Sequence, residues 1–93
     1  MKVRIKKDFL IETIGNEQVL VGNGEQINFS RLVMLNDTAA FIVTELQKQT
    51  EPVTAEQLAE SLTGSYDVGH YEALTDVKEL LDQLEKQGIV NIE

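Results

Sequence analysis

Ninety-three residues, 42% apolar and without cysteine, suffice for one domain with one core; they exclude disulfides, thiolate metal sites and a cysteine nucleophile. The formal charge is −8, and four of the eight basic residues lie at positions 2–7, so residues 8–93 carry four basic side chains against sixteen acidic ones. Such a surface repels a phosphate backbone, because duplex binding draws its affinity from many Lys and Arg contacts.

In chain order, the start Lys2, Arg4, Lys6, Lys7 is basic like a signal segment, but Asp8 follows and no apolar run develops. No apolar run reaches the length of a membrane span, so a cytoplasmic protein is expected. The basic segment itself reads as a solvated tail or as an edge strand guarded by lysines, with a small anion-binding arm as the alternative. Phe9 to Ile14 is β-branched and aromatic-rich, Gly15-Asn16-Glu17 is turn chemistry, and Gln18 to Val21 reads as the returning strand of a hairpin. Gly22-Asn23-Gly24 ends it. Ile27 to Leu35 reads as a third extended segment. Ile27, Phe29, Val33 and Leu35 share one face with Arg31, while Leu32 and Met34 lie on the other with Asn28 and Ser30.

Asn36 is a good N-cap, and Asp37 adds negative charge where the helix dipole favours it. Ala39, Ala40, Phe41, Ile42, Val43 and Leu46 then make a first helix of about three turns. Pro52 disfavours a helical Glu51. Thr54 to Gln57 fits a capping box for a second helix, with Leu58, Ala59 and Leu62 on its buried face and Gly64 as its stop. The longest helix runs from about His70 to Gln87, with Gly88 at the left-handed position that ends it. Ile89 to Ile92 adds a last extended piece. Three antiparallel strands followed by three helices is an α+β arrangement in a single domain, 1–93. Its first two helices, joined by a short turn, form a helix-turn-helix.

Nothing in this order is catalytic. His70 is the only histidine, and near a helix start it reads as a surface residue. Without a second His or a Cys, no transition-metal site is expected. Asp76, Glu79 and Asp82 read as a solvated face, since calcium-loop spacing is absent. Gly22-Asn23-Gly24 lacks a phosphate-loop pattern. No catalytic residue, metal or cofactor is expected.

The third helix is more informative. Leu74, Val77, Leu81 and Leu84 form one stripe; Leu80 and Ala73 widen it on one side and Tyr71 on the other. The apolar arc then spans about 180°, wider than the roughly 100° that one core needs. The third strand and third helix thus both carry surplus apolar surface. Either they cover each other, or a groove between them accepts an extended peptide.

Several blocks resemble the PqqD family: Leu35-Asn36-x-Thr38-Ala39-Ala40-Phe41-Ile42, Val53-Thr54, Leu58-Ala59, Tyr66-Asp67-Val68, Asp76-Val77 with Leu80, Leu81 and Leu84, and Gly88-Ile89-Val90. The resemblance implies a winged helix-turn-helix-like fold and a non-catalytic peptide chaperone, a recognition element for ribosomally made, modified peptides. Such a domain takes the leader of a precursor peptide as an added strand. It presents the precursor to a maturation enzyme, often a radical S-adenosylmethionine enzyme. The implied clamp is Arg31, Leu32, Val33 and Met34 on the strand, with Tyr71, Leu74, Lys78 and Leu81 on the helix.

Two other readings stand beside this one. A DNA-binding winged helix has the same helix order, but residues 70–87 hold five acidic side chains against Lys78 and Lys86. A structural adaptor that docks on an enzyme shares the apolar surface of the chaperone reading. An exposed apolar edge also permits a homodimer.

Overall fold

Alternation decides the first strand. In Lys2-Val3-Arg4-Ile5, Val3 is buried and Ile5 packs against the core, while Lys2 and Arg4 point to solvent. The computed structural model describes residues 2–6, 9–22 and 33–93, and nine elements lie among these described residues. They are β1 (Lys2–Ile5), β2 (Phe9–Ile14), β3 (Glu17–Gly22), β4 (Val33–Leu35), α1 (Asp37–Lys48), β5 (Val53–Thr54), α2 (Ala55–Ser65), α3 (His70–Lys86) and β6 (Val90–Ile92). The α+β class holds, but the strands form two sheets, ordered β5-β1-β6 and β2-β3-β4.

The basic start is therefore neither a tail nor an edge. β1 is the central strand of its sheet, with Val3 opposite both Val53 and Ile92. Backbone bonds beyond the strand ends extend the pairing: Lys2 and Glu93 exchange N–H···O bonds of 3.1 and 2.8 Å, and the Lys6 N–H donates to Ile89 at 3.0 Å. Lys2 and Arg4 occupy the solvent face of this paired strand. Charge on alternate positions is compatible with burial of the intervening ones, and that period outweighs the basic composition.

The second sheet begins with the expected hairpin. Ile14 pairs with Glu17 across the two-residue loop Gly15-Asn16, and Gly15 has φ +65, the left-handed conformation such a tight loop needs. β4 then pairs antiparallel with β3 through Leu35↔Gln18, Met34↔Val19 and Val33↔Leu20. Of the longer third segment expected from the sequence, residues 27–32 lie outside the described residues, Arg31 and Leu32 among them.

Local signals set the helix boundaries. The Asn36 side chain accepts from the Ala39 N–H at 2.8 Å, which caps α1. Thr54 and Gln57 make the reciprocal capping box of α2. Gly64 does not stop α2; the helix continues to Ser65 and ends at Tyr66, whose N–H still bonds the Leu62 carbonyl. Glycine lowers helix propensity by about 1 kcal/mol, too little to break a helix held by buried Leu58 and Leu62. Gly88, at φ +76, ends α3 in a Schellman motif: its N–H donates to Glu85 and that of Ile89 to Leu84, both at 2.9 Å. The same turn aims Ile89 and Val90 back into the core as β6 begins.

One cluster of buried side chains joins the two sheets to the helices. It includes Val3, Val53, Ile89 and Val90 from one side and Phe9, Leu20 and Leu35 from the other. Between them lie Ile42, Val43 and Leu46 of α1, Leu58 and Leu62 of α2, and Val77, Leu81 and Leu84 of α3. Each such side chain contributes about 1.5–3 kcal/mol on burial. A bond from the Gln47 side-chain amide to the Phe9 carbonyl, 3.0 Å, ties β2 to the end of α1.

The central place of β1 is open to test. Val3→Asp puts an unpaired carboxylate into the core and is expected to lower the unfolding free energy by about 3 kcal/mol or more, read by urea denaturation. A solvated tail would change it by less than about 0.5 kcal/mol.

Candidate functional site

β4 has one paired side. Its partner is β3, and among the described residues no strand lies on its other edge. An edge strand leaves every second N–H and C=O directed outward. β4 packs on β3 and α1 rather than closely on α3. The space between β4 and α3 is a groove of about 320 Å³.

The groove has an apolar floor and a polar rim. Leu35, Ile42, Leu62, Val77 and Leu84, all buried, line its base. Asn36, Thr38 and Ala39 close one end with the first turn of α1. On the strand side the wall is Val33, half-buried, and Met34, 60% exposed. On the helix side stand Asp76, Glu79, Gln83 and Gln87, all exposed, around the half-buried Leu80. The volume is small for a cofactor but sufficient for a few side chains of an extended segment. A second concavity of about 400 Å³, between Glu45, Gln49, Val53, Gln57 and Ser61, has a polar rim and no comparable strand wall.

The helix residues expected from the sequence do not line this groove. Leu81 is fully buried in the core, at the middle of the apolar stripe. Leu74 packs against the same cluster. Tyr71, 83% exposed, and Lys78, also exposed, stand on the flank of α3 opposite the groove-lining residues. Asp76, Leu80, Gln83 and Gln87 follow one another along the other flank, at spacings of three and four residues. The sequence signal for that flank is Leu80, which widens the apolar stripe on the groove side. Of the strand residues, Val33 and Met34 line the groove.

Among the described residues no cluster of His, Asp or Glu could hold a metal ion, and no buried side-chain polar atom lacks a partner. No helix among them is long and apolar enough to cross a membrane. The groove presents a strand edge, apolar seats and a rim with two carboxylates.

Comparison with known proteins places this arrangement. The chain is similar to a lasso peptide synthetase B1 solved in complex with the leader peptide, with TM-score 0.72 at 24% identity over 99% of this chain and 100% of that one. It is similar to TbiB1, solved in complex with the TbiA(beta) leader peptide, with TM-score 0.73 at 16% identity over 97% and 96%. It is also similar to the PqqD truncation of Methylobacterium extorquens PqqCD, solved by solution NMR as a functional, stand-alone recognition element for ribosomally synthesized, post-translationally modified peptides. There the TM-score is 0.71 at 19% identity over 98% and 89%. At these identities the likeness establishes a common fold. No curated protein matches by sequence. The family model for coenzyme PQQ synthesis protein D matches residues 17–90, and the structural matches extend over nearly the whole chain, β1 and β2 included. The chain belongs to the PqqD family.

Proposed function

We propose that this protein is a non-catalytic peptide chaperone, a single domain spanning 1–93. It takes the leader of a ribosomally made precursor as an added strand on β4 and presents the precursor to a maturation enzyme, such as a radical S-adenosylmethionine enzyme. The observation that carries the reading is the groove itself: a strand edge on one wall, a helix flank on the other and an apolar floor between them. Two of the structural neighbours were solved with leader peptides bound. In this reading the fold is winged helix-turn-helix-like. Where such folds read DNA their helices are basic, whereas the groove side of α3 carries Asp76 and Glu79. A cytoplasmic place goes with the function, since leaders are recognised where precursors are made.

The proposed contacts on the strand are Val33 and Met34; Arg31 and Leu32, expected from the sequence, lie outside the described residues. On the helix the contacts are Asp76, Leu80, Gln83 and Gln87. This replaces Tyr71, Leu74, Lys78 and Leu81, which stand in the core or on the far flank. The strand edge provides main-chain hydrogen bonds to any extended sequence; the floor and α3 select side chains.

Two variant pairs test it against a precursor peptide captured from a lysate of the native organism and identified by mass spectrometry. Leu80→Lys is expected to weaken that peptide's binding at least tenfold, about 1.4 kcal/mol, with little change in the urea midpoint. Leu81→Ala, in contrast, should cost about 2–5 kcal/mol of stability. Proline placed at Val33 and at Met34 in turn probes the two phases of the strand, only one of which bonds β3. The variant that spares the β3 ladder should unfold cooperatively and lose the peptide. Full affinity in that folded variant would remove the β4 edge from the site.

A further inference from the structure

The groove is not electrically neutral. Two of its lining residues, Asp76 and Glu79, are acidic, and no basic residue lines it among the described residues. They lie three residues apart on α3, close enough to act on one cation. The ion pairs among the described residues are Lys48–Glu45 and Lys86–Asp82, so neither groove carboxylate is neutralised by one of them. The whole chain, at −8, adds a long-range field of the same sign.

The order along the helix flank matters as much as the sign. Among the exposed and half-buried lining residues of α3, Asp76 and Glu79 come first, then Leu80, then Gln83 and Gln87. Four residues of helix advance about 6 Å. An extended chain repeats the side chains of one face about every 7 Å. For an added strand running along α3, successive inward-facing side chains meet successive zones of the helix: carboxylate, apolar, then amide.

Building on the peptide-binding reading, we propose that the groove selects leader segments in which a Lys or Arg stands two residues from an apolar anchor. The anchor seats beside Leu80 over Val77 and Leu84. The cation lies against Asp76 and Glu79. On the other side of the anchor, a polar side chain meets Gln83 or Gln87. The occupant is thus a cationic, amphipathic extended peptide, and an acidic leader is rejected by like charge and by the desolvation of Asp76 and Glu79.

A random peptide library displayed on phage tests this with the full chain as bait, using three proteins: the native sequence, the double variant Asp76→Asn with Glu79→Gln, and Leu80→Lys. The native protein should enrich peptides with Lys or Arg two residues from an apolar position. The double variant should keep the apolar position and lose the basic one. Its affinity for the best native peptide, made synthetically, should be weaker by about three- to tenfold, with a shallower salt dependence. Enrichment of the same sequences by both proteins, or of peptides without a basic preference, would overturn the charge rule while leaving the groove intact. If Leu80→Lys also enriches those sequences, or if no peptide is enriched by any of the three, the groove reading itself fails and the charge rule with it.

Discussion

The edge of β4, unpaired among the described residues, is the constraint on which the site depends. β4 takes its ladder from β3 through Val33, Met34 and Leu35, and the chain then turns at once into α1, capped by Asn36. Leu35 is anchored in the core and Asn36 holds the first turn of α1, so the strand cannot swing toward α3 to close the gap. Across the gap, α3 is fixed by Val77, Leu81 and Leu84 and ended by the Gly88 turn. The groove width is therefore set by the packed core behind it, and both walls stand preorganised for an extended segment.

Magnitudes show where selectivity must come from. A backbone hydrogen bond contributes about 0.5–1.5 kcal/mol net, and ordering one residue of a flexible peptide costs about 1–2 kcal/mol. Residue by residue, main-chain pairing therefore does little more than offset the ordering cost. Binding then rests on apolar side chains seated over Leu35, Ile42, Val77 and Leu84, at roughly 25 cal/mol for each Å² removed from water. Coupled ordering of this kind produces moderate affinity and ready release, which the proposed hand-over to an enzyme requires.

Much of the framework was legible because it is written in short-range chemistry. Asn36, the Thr54–Gln57 box, Gly15 and Gly88 each mark a boundary by a local hydrogen bond or a left-handed backbone, and each lies where its residue type demands. β1 was not legible as a central strand because its partners are β6 and the two-residue β5, both distant in sequence and too short to carry a pattern. The wide apolar arc of α3 was legible and the choice of flank was not. Periodicity shows that Leu80 and Tyr71 sit at opposite margins of the arc; only the packing of α3 on α2 and the sheets decides that Leu80 faces β4. The doubly apolar character of Val33-Met34-Leu35 has a split origin. Leu35 belongs to the core and to the groove floor, Val33 and Met34 form the strand wall, and Met34 lies opposite Val19 in the ladder.

The most direct test of strand addition is amide hydrogen exchange, followed residue by residue by NMR with and without a bound precursor peptide. The account predicts that the outward-directed amide of β4, exchanging fast in the free protein, becomes protected in the complex. The amides of Leu10–Ile14 on β2, the opposite edge of that sheet, should keep their free rates. Protection that appears on β2, or binding that leaves every β4 amide unchanged, would contradict it.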